Sequence, residues 1–140
     1  VIECSIIVAR SVQDMLLQSH GDLLRVFPAV PAAWPEAVFH NFRAEGAFLV
    51  SARREGGRTS WIHIRSEAGE PCRLHRPFAR SFHATVPVRE TAPGLFELEL
   101  GAGQDALLYT EEHPPATGIA PLPRSSAEHN PWGLKQESRT

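Results

Sequence analysis

The sequence predicts a mainly β protein, an antiparallel β-sandwich of about seven or eight short strands preceded by one N-terminal α-helix. Two observations predict this fold. Apolar residues recur at helical spacing only near the N-terminus, whereas the later runs are short, several alternate apolar with polar residues, and Gly, Pro or charged turns bound them. Because helices and strands do not alternate along the chain, a parallel sheet with crossover helices is not expected.

The helix is predicted from about residue 6 to residue 19, and His20-Gly21 is predicted to end it because glycine accepts a positive φ without strain. A helix that is apolar most of the way round needs partners on more than one side. The apolar residues of this helix are Ile6, Ile7, Val8, Ala9, Val12, Met15, Leu16 and Leu17.

Strand signals begin at residues 23–27, after which three prolines indicate an extended connection up to residue 36. The two glycines within residues 54–59 predict a hairpin, and the runs PCRLH, FHATVPV, LFELEL and DALLY predict further strands. Glu97 and Glu99 are predicted on a solvated sheet face. The residues predicted to point into the core are Phe48, Val50, Ile62, Ile64, Leu98 and Leu100.

Composition excludes several classes of function. The chain of 140 residues has 42% hydrophobic and 21% charged residues and a net charge of −2, which gives no electrostatic case for nucleic acid. No apolar stretch reaches the roughly 18 residues that a membrane helix needs. The N-terminus also lacks the pattern of a signal peptide. We therefore expect neither a nucleic-acid partner nor a membrane partner, and no cofactor.

The residues that could bind a metal or a redox partner are scattered. None of the seven histidines has HxH or HxxxH spacing, so His63, His75 and His83 could meet only through the fold. Separately placed histidines are the simpler interpretation, and no metal site is predicted. Cys4 and Cys72 form no CxxC motif and are interpreted either as free buried residues or as one bridge.

Two tryptophans and one carboxylate leave functional alternatives open. Trp34 and Trp61 could be sugar-stacking platforms on an exposed face, or they could pack against a neighbouring element. Glu3 lies between two apolar residues at the start of the helix. It is either a catalytic carboxylate in apolar surroundings or an acid that stabilises a helix N-terminus.

Three motifs at consistent spacing resemble the end of glycoside hydrolase family 95, the α-L-fucosidases and their relatives. They are MLLQSH at residues 15–20, VFPAVPAAWP at residues 26–35 and FRAEGAFLV at residues 42–50, within a similarity that covers about residues 2–74. The resemblance implies that the last helix of a catalytic (α/α)6 barrel passes here into a C-terminal β-sandwich. The abrupt change from helix to strand, and the absence of an initiator Met, then predict a chain cut from a longer enzyme.

The resemblance together with the change to a Pro-rich composition after residue 112 divides the chain into three segments. Residues 1–22 would be the last helix of the upstream barrel, residues 23–112 the β-sandwich domain, and residues 113–140 a Pro-rich extended tail from which Trp132 and Leu134 dock. It also aligns Glu3 with a family aspartate that serves an inverting mechanism, and a carboxylate there could polarise an attacking water. The four residues after Glu3 depart from the family pattern.

The partners that follow from the resemblance are the upstream barrel of the same polypeptide and the carbohydrate substrate of the parent enzyme. The isolated chain is predicted to be inactive, and either to self-associate through its apolar helix or to leave that helix loosely held. A secreted or extracytoplasmic location is implied by the family. The alternative from a different class is a free-standing carbohydrate-binding or adhesion module, which would depend on the all-β pattern and on two aromatic supports, Trp34 and Trp61.

Overall fold

The structure is a computed structural model that describes residues 2–120. Within that range it has one helix and ten strands. The helix α1 is Ile2–Leu16, and the strands are β1 Leu17–Ser19, β2 Leu24–Val26, β3 Ala37–Ala44, β4 Phe48–Glu55, β5 Arg58–Ser66, β6 Cys72–His75, β7 His83–Ala84, β8 Val88–Ala92, β9 Leu95–Leu98 and β10 Asp105–Tyr109. The predicted mainly β fold with one N-terminal helix is confirmed.

The strands form two five-stranded sheets, and the chain crosses repeatedly from one sheet to the other. The first sheet has the order β1-β2-β6-β9-β8, and the second has the order β3-β4-β5-β10-β7. Pairing is antiparallel throughout, except for one parallel contact between β2 and β6. Strands β7 and β8 are therefore edge strands that follow each other in sequence, one in each sheet.

A single apolar core receives side chains from both sheets, as expected of a sandwich. All six residues predicted to point inward are buried, with exposures between 0% and 4%. Cys72, Leu74 and Leu98 come from the first sheet and meet Val50, Ile62, Ile64 and Leu108 from the second. The period-2 alternation therefore identified the inner faces correctly.

The predicted hairpin between β4 and β5 is confirmed. Gly56 and Gly57 occupy its two-residue turn with φ of 54° and 75°. A turn with positive φ at both central residues matches the twist of the strands, and glycine adopts it without a steric penalty.

The helix ends earlier than the sequence indicated. Leu16 is its last residue, and Leu17 begins strand β1, where it is 7% exposed in the core. The last helical carbonyls accept hydrogen bonds from a later segment of the chain. Phe27 N–H donates to Leu16 O at 2.7 Å, and Ala29 N–H donates to Met15 O at 3.3 Å. Because the segment after β2 satisfies these groups, the chain can leave the helix and begin a strand here, and Gly21 lies in the turn after β1 instead of capping the helix.

One other stretch differs from the sequence prediction. The run FHATVPV is divided between β7 and β8, because Pro87 has no N–H group with which to continue a ladder. Residues 111–120 have no regular secondary structure, as predicted for the start of the tail. The predicted docking of Trp132 and Leu134 lies outside the described residues. No helix within residues 2–120 is long and apolar enough to cross a membrane.

Candidate functional site

Helix α1 touches the sandwich only at its C-terminal end. Residues 3–13 are all exposed, and only the last three helical residues are half-buried. Ile6 is 61% exposed, Ile7 and Val8 are 63% exposed, and Val12 is 38% exposed. At 1.5 Å per residue the exposed part extends about 16 Å from the sandwich. These four large apolar side chains are exposed on the projecting part of the helix, and we call them the α1 apolar surface (Ile6, Ile7, Val8 and Val12).

Glu3 lies in the first turn of α1, in the exposed part of the helix. No hydrogen bond or ion pair joins it to another residue within the part of the chain that the structure describes. An acidic side chain in a first helical turn interacts favourably with the helix dipole. The position therefore suits a helix-start acid, and the catalytic role of Glu3 stays a prediction.

A polar groove of about 430 Å³ separates the C-terminal half of α1 from strand β3. Its charged walls are paired locally: Arg10 lies 3.1 Å from Asp14 on the same helix, and Arg43 donates a hydrogen bond to Glu67. Ser19 Oγ accepts the N–H of Glu45 at 2.6 Å and ties β1 to the end of β3. The charges of the groove are therefore paired within each wall, and the Ser19 hydrogen bond fixes β1, the strand that follows the helix, to the end of β3.

The two tryptophans differ in exposure. Trp61 is 1% exposed, although it lies opposite Arg53 and Tyr109 on the outer face of the second sheet and outside the core cluster. The hypothesis that Trp61 is an exposed stacking platform is therefore wrong. Trp34 is 44% exposed in a turn where its backbone N–H donates to Pro31 O at 2.9 Å.

The histidines singled out in the sequence are on different strands and have different neighbours. His63 Nε2 lies 3.2 Å from Asp105 Oδ1, and the His83 ring stacks on Tyr109 with centroids 5.5 Å apart. His75 is in the other sheet, on β6. Residues 2–120 contain no group of three or more His, Cys, Asp or Glu side chains that could hold a metal ion.

Both cysteines are free, so the alternative of a bridge between them is wrong. Cys4 is exposed on α1, whereas Cys72 is buried in the core on β6. Burial raises the pKa of the Cys72 thiol to about 12, because the charged thiolate is disfavoured away from water. Cys72 is therefore a small apolar core residue, and only the thiol of Cys4 faces solvent.

The outer face of the first sheet carries an ion triad across three strands. Arg73 Nε lies 2.9 Å from one oxygen of Glu97, and Arg89 pairs with the other oxygen. Hydrogen bonds from Arg73, and to a smaller extent from Arg89, hold the pKa of Glu97 below its usual range. The predicted outward orientation of Glu97 and Glu99 is confirmed, although the two guanidinium groups cover most of Glu97.

A cleft that the sequence analysis missed opens between the two edge strands β7 and β8. We call it the edge cleft; it has a volume of about 590 Å³, and its principal side chains are Phe78, Arg80, Phe82, Glu90 and Phe96. The rings of Phe78 and Phe82 have centroids 5.0 Å apart, and Phe82 meets Phe96 edge to face at 5.2 Å. The signal in the sequence was the run FARSF, which the strand pattern passed over because it forms a loop.

The fold thus defines a class, a mainly β sandwich domain with a projecting N-terminal helix. The family described as glycoside hydrolase family 95, C-terminal domain, matches residues 18–102, more than half of the chain. The chain belongs to this family and is an accessory domain of a glycoside hydrolase. No curated protein matches the chain.

Proposed function

We propose that this chain is the C-terminal structural domain of an α-L-fucosidase-like glycoside hydrolase, and that α1 packs against an upstream catalytic barrel of the same polypeptide. The parent enzyme would hydrolyse O-glycosidic bonds of a carbohydrate substrate, and the sandwich would hold the end of the barrel in place. In this division of the chain, α1 packs with the barrel, and the strands from β1 onward belong to the accessory domain, because β1 pairs with β2 in the first sheet.

The observation that carries the proposal is the α1 apolar surface. Its four side chains are exposed, and the sandwich contacts only the opposite end of the helix. Each Å² of apolar surface left in water costs about 25 cal/mol relative to burial. A helix of this kind gains stability when a second body covers it, and a helical barrel joined to the same helix is the simplest such body.

The separation of carboxylates supports the prediction that the isolated chain is inactive. Glycoside hydrolysis needs two carboxyl groups about 5–10 Å apart across the scissile bond. Asp14 is the next carboxylate along α1 after Glu3, and eleven residues of helix separate the two by about 16 Å along the axis. If Glu3 is catalytic, its partner must come from outside this helix.

An activity assay tests the proposal directly. The purified chain should not hydrolyse aryl α-L-fucosides or aryl galactosides, whereas the chain joined to an upstream barrel should. Turnover by the 140-residue chain, persisting in a Glu3→Gln variant and free of contaminating enzyme, would show that the catalytic centre lies elsewhere in this domain and would overturn the proposal.

Self-association provides a second test. Light scattering at rising concentration should detect dimers or larger species of the isolated chain. Ile7→Lys and Val8→Lys should reduce them, because a charge on the α1 apolar surface opposes burial. Val38→Lys is a matched control, since Val38 is a 42% exposed valine on edge strand β3. A monomer at every concentration, or equal effects of Val8→Lys and Val38→Lys, would contradict a role for α1 in association.

The competing hypothesis of a free-standing carbohydrate-binding or adhesion module loses one of its two supports, because Trp61 is buried. The exposed Trp34 is a single ring in a turn between prolines, with no second platform beside it in the sequence.

A further inference from the structure

We propose that the edge cleft is a binding site for a neutral carbohydrate, so that the accessory domain contacts sugar independently of the catalytic barrel. The cleft lies between the edge strands β7 and β8, whereas α1 leads into β1 at the opposite edge of the first sheet. Its volume of about 590 Å³ falls within the range of small-molecule sites, about 300–1,000 Å³.

The aromatic side chains of the cleft form a rigid apolar wall. Phe78, Phe82 and Phe96 are half-buried, and Phe78 and Phe82 pack against the core while lining the cleft. The ring of Phe82 contacts the other two, with centroid separations of 5.0 Å to Phe78 and 5.2 Å to Phe96. Rings held in this way lose little conformational entropy on binding, and they offer apolar surface to the C–H face of a sugar ring.

The polar groups beside this wall are held in place by the protein. Arg80 Nη2 donates to Thr110 Oγ1 at 3.0 Å, and Glu90 Oε1 accepts the N–H of Gly94 at 2.9 Å. Gly94 O in turn accepts the N–H of Arg76 at 2.7 Å, which ties the loop of residues 76–82 to the β8–β9 turn. The guanidinium keeps further N–H donors, and the carboxylate keeps a second oxygen, without other hydrogen bonds to described residues.

The charges select the class of ligand. The charges of Arg80 and Glu90 oppose each other, since both groups line the same cavity, so an ion that is attracted by one group is repelled by the other. A neutral polyol uses both groups without a charge of its own, because each hydroxyl can donate to a carboxylate and accept from a guanidinium. A ring with one apolar face and several hydroxyl groups is a sugar, and this choice also rests on the proposed function as part of a glycoside hydrolase.

The test is a titration of the full, isotopically labelled chain, followed by amide chemical shifts, with methyl α-L-fucoside, methyl β-D-galactoside and glucuronate as probes. At least one neutral glycoside should produce saturable shifts at residues 78–90 and 96. Arg80→Gln and Glu90→Gln should each weaken binding about tenfold, the loss expected for one hydrogen bond to a charged group. Phe82→Leu should weaken it as well, because it keeps apolar volume and removes the ring.

Matched controls separate the cleft from the rest of the surface. Arg58→Gln removes an exposed arginine at the β4–β5 hairpin, and Trp34→Ala removes the exposed tryptophan; neither should change the affinity. Thermal midpoints of all variants verify folding. If Phe82→Leu unfolds the domain, the two glutamine variants decide the result.

Several outcomes would overturn the inference. Absence of saturable shifts with both neutral glycosides would do so, as would shifts centred on Trp34, or glucuronate binding as tightly as the neutral probes. Shifts at residues 78–96 on replacing Trp132 with Ala, without added sugar, together with no glycoside binding, would show that the chain's own C-terminal segment fills the cleft. The titration needs no catalysis, so hydrolysis by the isolated chain would defeat the proposed function and leave this result standing.

Discussion

Helix α1 and the sandwich contain the same kinds of apolar residue and use them in opposite ways. Ile7 and Val8 on the helix are 63% exposed, whereas Ile62, Ile64 and Val50 in the sheets are 0% exposed. The difference arises from the number of neighbouring elements. Two facing sheets cover each other, while the helix meets the sandwich only over its last residues. An apolar composition therefore indicates that a surface favours burial. The fold decides whether another element of the same chain is placed to bury it.

The largest expected contrast is in thiol chemistry, because each region contains one cysteine. Cys4 on α1 should react with a thiol reagent such as dithionitrobenzoate at the rate of an exposed cysteine. Cys72 must wait for an opening of the core, because it is fully buried and its pKa is raised to about 12. If that opening costs the global stability of a small domain, about 5–15 kcal/mol, its rate should be at least on the order of 10³-fold lower.

The measurement is the absorbance of the released thiolate with and without urea, and Cys4→Ser should abolish the fast phase. Two fast equivalents in the native protein would mean that the core around β6 opens readily, and the contrast between the regions would disappear.

The same Ile→Ala substitution should change the free energy of unfolding far more in the sandwich core than on helix α1. Ile64→Ala removes a fully buried side chain and should cost about 2–5 kcal/mol of the free energy of unfolding. Ile7→Ala, the same substitution on the exposed helix, should change it by less than about 0.5 kcal/mol. Urea unfolding of both variants measures the difference, and equal losses would show that α1 is packed in solution.

Leu17 marks the boundary between the regions and sharpens the comparison. It is 7% exposed in β1, whereas Val8, nine residues earlier, is exposed on the helix. Leu17→Lys should destabilise the sandwich by a few kcal/mol because it buries a charge, and Val8→Lys should leave the thermal midpoint nearly unchanged. A small effect of Leu17→Lys would indicate that the helix continues through this residue and that β1 is not formed.

The smallest expected effect concerns stability toward acid, to which the ion triad on the sandwich surface contributes. A carboxylate whose folded pKa is lowered stabilises the protein above its unfolded pKa, about 4.3 for Glu, and loses that contribution as the pH falls through the folded pKa. Hydrogen bonds from Arg73 and Arg89 lower the pKa of Glu97 in this way. Glu97→Gln should therefore lower the urea midpoint at pH 7 and have less effect at pH 3.

Glu99→Gln is the control for that experiment, because Glu99 lies on the same outer face and forms no hydrogen bond or ion pair with described residues. If both variants lose stability equally at pH 7, the effect belongs to the charge of the sheet face and not to the triad.

The alternation of residues in the strands was the most informative pattern in the sequence. Phe48, Val50, Ile62 and Ile64 could be assigned to one face because side chains point to opposite sides of a strand with period two. The same pattern placed Trp61 on the outer face and could not show that this position is covered, since covering depends on segments distant in sequence.

The sequence by itself determined which local structures are possible: a helix near the N-terminus, alternating strands, and a hairpin at Gly56-Gly57. These features depend on backbone sterics and on side-chain period, which neighbouring residues set. Tertiary structure alone decided that the helix ends at Leu16, that Trp61 and Cys72 are buried, and that Phe78, Arg80 and Glu90 surround one cleft. Each of these outcomes depends on contacts between segments far apart in the chain, and no local pattern encodes them.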